Sequence, residues 1–223
     1  MNLEIENIIE RYNRRNVGYS FFDSYIYMTL QERERALISL YKKLGRDVST
    51  LKVLEIGSGS GINILKMIEM GFKPENITGI ELIKERADSS RKKLSSEVKI
   101  INNDALEYEY EEKYDLIFQF VVFSSILDDD FRKRLANKME SLLNPGGAII
   151  WYDFIYNNPK NKDVKGIKLK KVRSLFEGKI TYYKKVTLAP PISRKITKVS
   201  PKLYNLLNMF SFLRTHLLCL IRK

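Results

Sequence analysis

The run Val53-Leu54-Glu55-Ile56-Gly57-Ser58-Gly59-Ser60-Gly61 constrains the chain more than any other. Four residues that read as a buried strand lead into three alternate glycines, and a helical pattern starts directly behind them. Glycine lets the backbone turn sharply and come close to a bound group, while the helix start offers N–H groups with no partner inside the helix. The same alternation continues downstream. Ile62–Met70 reads as a helix ended by Gly71, Ile77–Leu82 as a strand, Lys84–Leu94 as a charged helix and Val98–Ile101 as a third strand. Tyr114–Phe120 reads as a fourth strand, Asp130–Leu143 as a helix, and Ala148–Phe154 as a fifth strand after the turn Asn144-Pro145-Gly146-Gly147. Strands alternating with helices at this pitch specify βαβ units, and so an α/β fold whose parallel sheet carries helices on both faces.

Residues 1–50 form a helical segment ahead of this pattern. Leu30, Ala36, Leu37, Leu40, Tyr41 and Leu44 recur at near-helical spacing, Glu32, Arg33, Glu34 and Arg35 fall largely between them, and Gly45 stops the helix. Tyr25 and Tyr27 just before that helix suggest a lid over the site; an interface is the alternative. Residues 51–223 read as one domain. Its later part holds a basic helical segment (Val164–Phe176), a strand (Ile180–Leu188), a break at Pro190-Pro191, a helical stretch (Pro201–Phe210) and a last strand (Thr215–Ile221). The stretches 155–178 and 189–213 are expected to face a substrate.

Charge is lopsided. The net formal charge is +12, yet residues 1–159 hold 22 basic and 25 acidic residues, and residues 160–223 hold 17 basic and two acidic. Such a field attracts a phosphorylated small molecule, an anionic membrane surface or nucleic acid. One cysteine and one histidine exclude a disulfide framework inside the chain and leave too few soft ligands for zinc. No stretch approaches the ~18–20 apolar residues of a membrane span, and the Met1 end does not read as a secretory signal. The cytoplasm is therefore the expected setting.

Two acids sharpen the glycine loop. Glu81 closes the second strand 24 positions after Gly57, where a doubly wound sheet sets it beside the loop and lets it accept both hydroxyls of a ribose. Position 62 is Ile62, so the dinucleotide G-x-G-x-x-G pattern is not met. Asp104, in Asn102-Asn103-Asp104-Ala105, closes the third strand, where a carboxylate can accept from an exocyclic amine. With Tyr114-Asp115-Leu116-Ile117 entering the fourth strand and Leu143-Asn144-Pro145-Gly146-Gly147 leading to the fifth, the chain resembles the class I S-adenosylmethionine-dependent methyltransferases, strongly over about residues 50–155. The resemblance implies a Rossmann-like, doubly wound, seven-stranded sheet with its last strand antiparallel, and S-adenosylmethionine as cofactor. It also implies roles: Gly57, Ser58, Gly59 and Gly61 around the methionine moiety, Glu55 at its amino-acid end, Glu81 on the ribose, Asp104 and Ala105 on the adenine, Leu82 against its ring, and Gln119 with Phe120 on the sulfonium side. Trp151-Tyr152-Asp153-Phe154, Leu188-Ala189-Pro190-Pro191 and Leu213-Arg214-Thr215-His216 also resemble a subgroup found in glycan and natural-product gene clusters.

Methyl transfer needs alignment and, for a hydroxyl acceptor, a base. His216 and Asp153 are the candidate bases, since the start of an antiparallel seventh strand and the end of the fifth reach the same sheet edge. Tyr152, Asn157, Arg194 and Arg214 are candidates to hold the acceptor, the arginines through a phosphate. Asp128, Asp129 and Asp130 read as a helix cap, and Cys219 as a small buried apolar residue. The expected reaction is methylation of a hydroxyl or amine on a sugar, nucleotide-sugar or metabolite. The alternatives are an RNA methyltransferase or RNA-binding protein using the basic third, and a peripheral membrane enzyme whose 203–213 stretch lies on anionic lipid.

Overall fold

The structure is a computed structural model that describes residues 3–14, 20–159 and 161–223. The helical segment expected over 1–50 therefore lies outside the described residues at 1–2 and 15–19. Seven strands, β1 (Val53–Ile56), β2 (Ile77–Glu81), β3 (Lys99–Asn102), β4 (Tyr114–Phe120), β5 (Leu143–Phe154), β6 (Lys179–Leu188) and β7 (Arg214–Arg222), make one sheet in the order β3-β2-β1-β4-β5-β7-β6. Neighbours among β1 to β5 are parallel, and β7 is antiparallel to both β5 and β6. The helices are α1 (Leu3–Asn13), α2 (Ser24–Lys42), α3 (Ile62–Glu69), α4 (Lys84–Lys93), α5 (Asp129–Ser141), α6 (Leu169–Leu175), α7 (Pro190–Ile196) and α8 (Lys202–Asn208). The chain builds outward from β1 to β3 and then returns to place β4 on the other side of β1. That reversal leaves a crevice beyond the carboxyl ends of β1 and β4, where open α/β sheets bind ligands.

Strand pleating sorts the core into two layers. Leu54, Ile56, Ile117, Ile149, Trp151, Leu217 and Cys219 pack toward α1, α5 and α6. Val53, Phe118, Ile150, Tyr152, Leu218 and Leu220 pack toward α2 and α3. On that second face Tyr41 and Phe72 meet edge-on with ring centroids 5.2 Å apart, and Phe118 lies edge-on to both. Cys219 is fully buried and its thiol is pushed up to about 12, as befits the small apolar residue expected there.

Three local expectations change. The strand β5 begins at Leu143 rather than Ala148, and Asn144-Pro145-Gly146-Gly147 forms an irregularity within it, where the register with β4 shifts and Gly146 takes φ +73°. Pro190-Pro191 does not break the chain but opens α7, because the first helical turn does not use the N–H that proline lacks. The basic helix is also shorter than 164–176. Asp128 caps α5 as expected, accepting the Phe131 N–H at 2.8 Å.

One buried carboxylate ties α2 to the end of β6. Glu32 accepts the Thr187 N–H with both oxygens, at 3.0 and 2.9 Å, and the Tyr204 hydroxyl donates to it at 2.8 Å. Glu32→Ala leaves two buried donors unpaired, and it should lower unfolding free energy by about 2–4 kcal/mol, read as an earlier urea midpoint at unchanged m-value.

Candidate functional site

A cavity of about 710 Å³ fills the crevice at the reversal, within the roughly 300–1,000 Å³ typical of small-molecule sites. Its floor is the glycine turn. Gly57, Gly59 and Gly61 have φ of +67°, +60° and +81°. At Gly57 glycine is obligatory twice over, since a Cβ would also lie 2.6 Å from Val122 Cγ2. The turn is pinned to the end of β2: the Gly57 and Ser58 N–H groups donate to the Ile80 carbonyl at 2.8 and 3.0 Å, and the Gly59 N–H donates to Glu81 Oε2 at 2.7 Å.

Glu81 is buried and lines the cavity. Its Oε1 accepts the Ile83 N–H at 2.9 Å. A carboxylate offers about four acceptor positions, so each oxygen keeps one for a ligand. Asp104 lines the same cavity with Ala105; its Oδ1 accepts the Leu106 N–H at 2.9 Å, and burial raises its pKa. Between the two carboxylates lie the apolar walls of Leu82, Ile83, Ile126 and Phe131. The opposite end is polar: Arg33 of α2 and Asn63 of α3 line it, joined by a 2.8 Å hydrogen bond. Behind them Asn63 donates to Glu55 Oε1 at 2.7 Å, while Glu55 Oε2 is buried without a partner and burial pushes this carboxyl up to about 8. The helix α1 covers the mouth with Ile5, Ile8 and Tyr12. Its Arg11, ion-paired with Glu4 at 2.9 Å, donates to the Ser125 carbonyl, and Glu4 accepts the Leu127 N–H.

Of the residues expected from sequence to hold a cofactor, Gly57, Glu81, Leu82, Asp104, Ala105 and Phe120 meet on this cavity. Glu55, Ser58, Gly59 and Gly61 stand behind them as framework. Gln119 departs from its expected place: it is fully buried, and its Oε1 accepts the Val122 N–H at 3.1 Å, bracing the turn after β4 from below.

The two candidate bases do not converge, because adjacent pleats send them to opposite faces of the sheet. Asp153 is fully buried on the α5 face, away from the cavity, and accepts the Ser124 N–H at 3.0 Å and its own neighbour Phe154 N–H at 2.9 Å. Burial pushes it up to about 7. It anchors the turn after β4 and is closed to an acceptor. His216, on the α2 face, stacks on Tyr152 with ring centroids 5.0 Å apart, and Tyr152 in turn lies 5.9 Å from the cavity-lining Phe120. Desolvation, aided by the Arg33 charge, lowers the His216 imidazole to about 3.

The expected acceptor residues separate too. The Tyr152 hydroxyl bonds Thr187 Oγ1 at 2.7 Å. Arg214 spends its guanidinium on the carbonyls of Asn208 and Lys185, which removes it as a phosphate holder. Arg194 lies over the Tyr25 ring at 5.1 Å. Asn157 holds the Gly166 N–H and lines a second hollow of about 830 Å³. That hollow is rimmed by Lys165, Lys168, Lys170, Lys171 and Arg173, with Arg132 and the single acid Asp129. It abuts the turn after β4, whose Ser124 carbonyl accepts the Lys165 N–H at 2.8 Å. Arg33, Asn63 and Tyr12 are cavity residues that the sequence pattern did not single out. Arg33 could have been found, standing four and eight positions before the buried Leu37 and Tyr41. Among the described residues no cluster of three or more His, Cys, Asp or Glu could hold a metal.

Residues 53–147 match a family model described as a methyltransferase domain. A malonyl-[acyl-carrier protein] O-methyltransferase of Ilyobacter polytropus is 32% identical over 104 residues, 46% of this chain and 39% of that protein. An uncharacterised methyltransferase of Bacillus thuringiensis is 33% identical over 104 residues, 47% of each chain. The chain thus spans less than half the length of these curated relatives. Two solved structures share its fold over the full length. The N-methyltransferase NodS from Bradyrhizobium japonicum WM9, in complex with S-adenosylhomocysteine, aligns with a TM-score of 0.69 at 16% identity, covering 100% of this chain and 99% of that one. The magnesium protoporphyrin IX methyltransferase from Synechocystis aligns at 0.66 and 12% identity, covering 100% and 99%.

The raised Asp153 carboxyl fixes a sign for the pH dependence of stability. Between its ordinary 3.8 and about 7 the folded state holds a proton that the unfolded chain releases, so stability falls as pH rises through that window. Asp153→Asn should lessen the fall of unfolding free energy between pH 4 and 7, leaving the fall that Glu55, also raised by burial, contributes up to about pH 8; urea midpoints across that range read both.

Proposed function

We propose that this chain, which carries a methyltransferase domain over residues 53–147 within the fold of the S-adenosylmethionine-dependent methyltransferases, moves a methyl group from S-adenosylmethionine to a hydroxyl or amine of a small or medium acceptor bearing an anionic group. The observation that carries this reading is the convergence of the Gly57 turn, the Glu81 and Asp104 carboxylates and Arg33 on one cavity. When bound, the donor supplies a methyl already activated on a sulfonium, so the protein's part is alignment, exclusion of water and an outlet for one proton.

The residues present fit that group. Glu81 has acceptor positions left for two ribose hydroxyls after its backbone bonds. Asp104 would accept from the adenine amine, and Leu82 and Ile83 would supply apolar wall for the ring. Arg33 and Asn63 would hold the carboxylate of the methionine end, and the unpartnered oxygen of Glu55 behind them would favour its ammonium. Phe120 lines the side of the cavity nearest Tyr152 and His216. We assign the proton to His216, which its low pKa keeps neutral; an imidazole so depressed is a weak base, so alignment supplies most of the rate. The basic second hollow beside the turn after β4 supports an acceptor with a phosphate or other anion. The cytoplasm is the setting this reading expects.

S-adenosylhomocysteine should raise the melting temperature and NAD(H) should not; the opposite result ends the reading. Glu81→Ala and Asp104→Ala should each weaken S-adenosylhomocysteine by about tenfold or more. Affinity should climb between pH 6 and about 8 as Glu55 ionises, and Glu55→Gln should remove that climb. Methyl uptake screened over nucleotide-sugars and amino metabolites identifies the acceptor. With it, His216→Ala should lower kcat by about 10²-fold at unchanged cofactor affinity.

A further inference from the structure

We propose that the stretch from α7 to the start of β7, with the turn entering α2, docks this protein on the surface of an anionic lipid bilayer. Residues 190–213 connect β6 to β7 across the outside of the sheet. Tyr204, Leu207 and Asn208 of α8 turn inward at helical spacing, with Tyr204 packed on Leu188 and Met28. The opposite side of the same stretch is uncovered among the described residues: Val199 is 81% exposed, Met209 73% and Phe212 70%, with Leu206 and Phe210 beside them. The rings of Phe210 and Phe212 lie 5.8 Å apart and form one ridge. The turn entering α2 adds Phe22, 99% exposed, and α2 is joined to α7 by Arg194 over Tyr25. Large apolar side chains projecting together into water mark an interaction surface, not ordinary surface composition.

Charge decides what covers it. Arg194, Lys195, Lys198 and Lys202 are exposed among these residues, and positions 178–223 hold ten Lys and Arg with no Asp or Glu. A second copy of the chain would bring the same cations against themselves. An anionic bilayer pairs with them while its acyl boundary takes up Phe212, Met209 and Phe22, the division of labour of interfacial segments. Among the described residues no helix is long and apolar enough to cross a membrane, so the contact lies on one leaflet.

The test uses the full chain and is independent of methyl transfer. Flotation with phosphatidylcholine vesicles, with and without phosphatidylglycerol, should show binding only when phosphatidylglycerol is present, and salt should release it. The double variant Met209→Asp with Phe212→Asp, and separately Lys198→Glu with Lys202→Glu, should each lose about tenfold or more in vesicle affinity. Both should keep the wild-type thermal response to S-adenosylhomocysteine, which shows the variants folded and the donor site intact. Absence of binding to phosphatidylglycerol vesicles at low salt overturns the proposal, as does binding that both variants retain. A self-association that the apolar variant abolishes, with no vesicle binding, overturns it in favour of a dimer face.

Discussion

The hydrogen bond from the Gly59 N–H to Glu81 Oε2 holds the site together, because it joins two elements that the chain makes separately. Glycines with positive φ can take many shapes, and freedom alone does not make a binding turn. Here the shape is fixed from β2: two successive amides reach the Ile80 carbonyl, and the third reaches the carboxylate that ends the strand. The Ile83 N–H holds the other oxygen, so the buried carboxyl group is fixed by two backbone donors and still has acceptor positions for the cavity it lines. One residue therefore clamps the loop and also lines the cavity.

From that floor the two faces of the sheet divide the remaining work. On the α5 side Asp153 sets the turn after β4 through the Ser124 N–H, and that turn carries Ser125 and Ile126 into the cavity wall. On the α2 side Arg33 lies 5.4 Å over the Phe120 ring and 5.5 Å over Tyr152, against which His216 stacks. The pleat that separates Tyr152 from Asp153 thus sends one neighbour to the face of Phe120 and His216 and the other to the frame of the turn after β4.

What could be read in the sequence follows from the range over which each feature is determined. Gly57, Glu81 and Asp104 were legible because each closes a strand in successive βα units, and the units fix their relative positions. The parallel sheet and the Asp128 cap were legible for the same local reason, whereas the antiparallel β7 followed only from the family resemblance those motifs carry. Arg33 was hidden in Glu32-Arg33-Glu34-Arg35, where alternating charge suggests a solvated face, although Glu32 is buried and Arg33 half-buried. The contacts of α1 were beyond reach, since Arg11 and Ser125 are 114 positions apart. Arg214 and Asp153 share that difficulty: whether a charged side chain faces a ligand or a set of backbone groups is decided by tertiary contacts that no spacing records.

Two residues carry strain at the carboxyl edge of the sheet, and both report to Tyr152. Val121, directly after β4, takes φ +60°, and Thr187, near the end of β6, takes φ +66°. Both side chains are β-branched, for which the left-handed region costs about 1–3 kcal/mol. The Val121 N–H is held by the Tyr152 carbonyl at 2.8 Å, and Thr187 Oγ1 by the Tyr152 hydroxyl at 2.7 Å. Glu32 secures the Thr187 N–H from the other side. Relaxing Val121 would swing Val122 away from Gly57, where the two now meet too closely for any side chain larger than hydrogen. Relaxing Thr187 would release the partner of the ring on which His216 stacks. The strain is tolerated because the aromatic ring between Phe120 of the cavity wall and His216 is held at both ends, and a flatter backbone at either position would leave that ring free to turn.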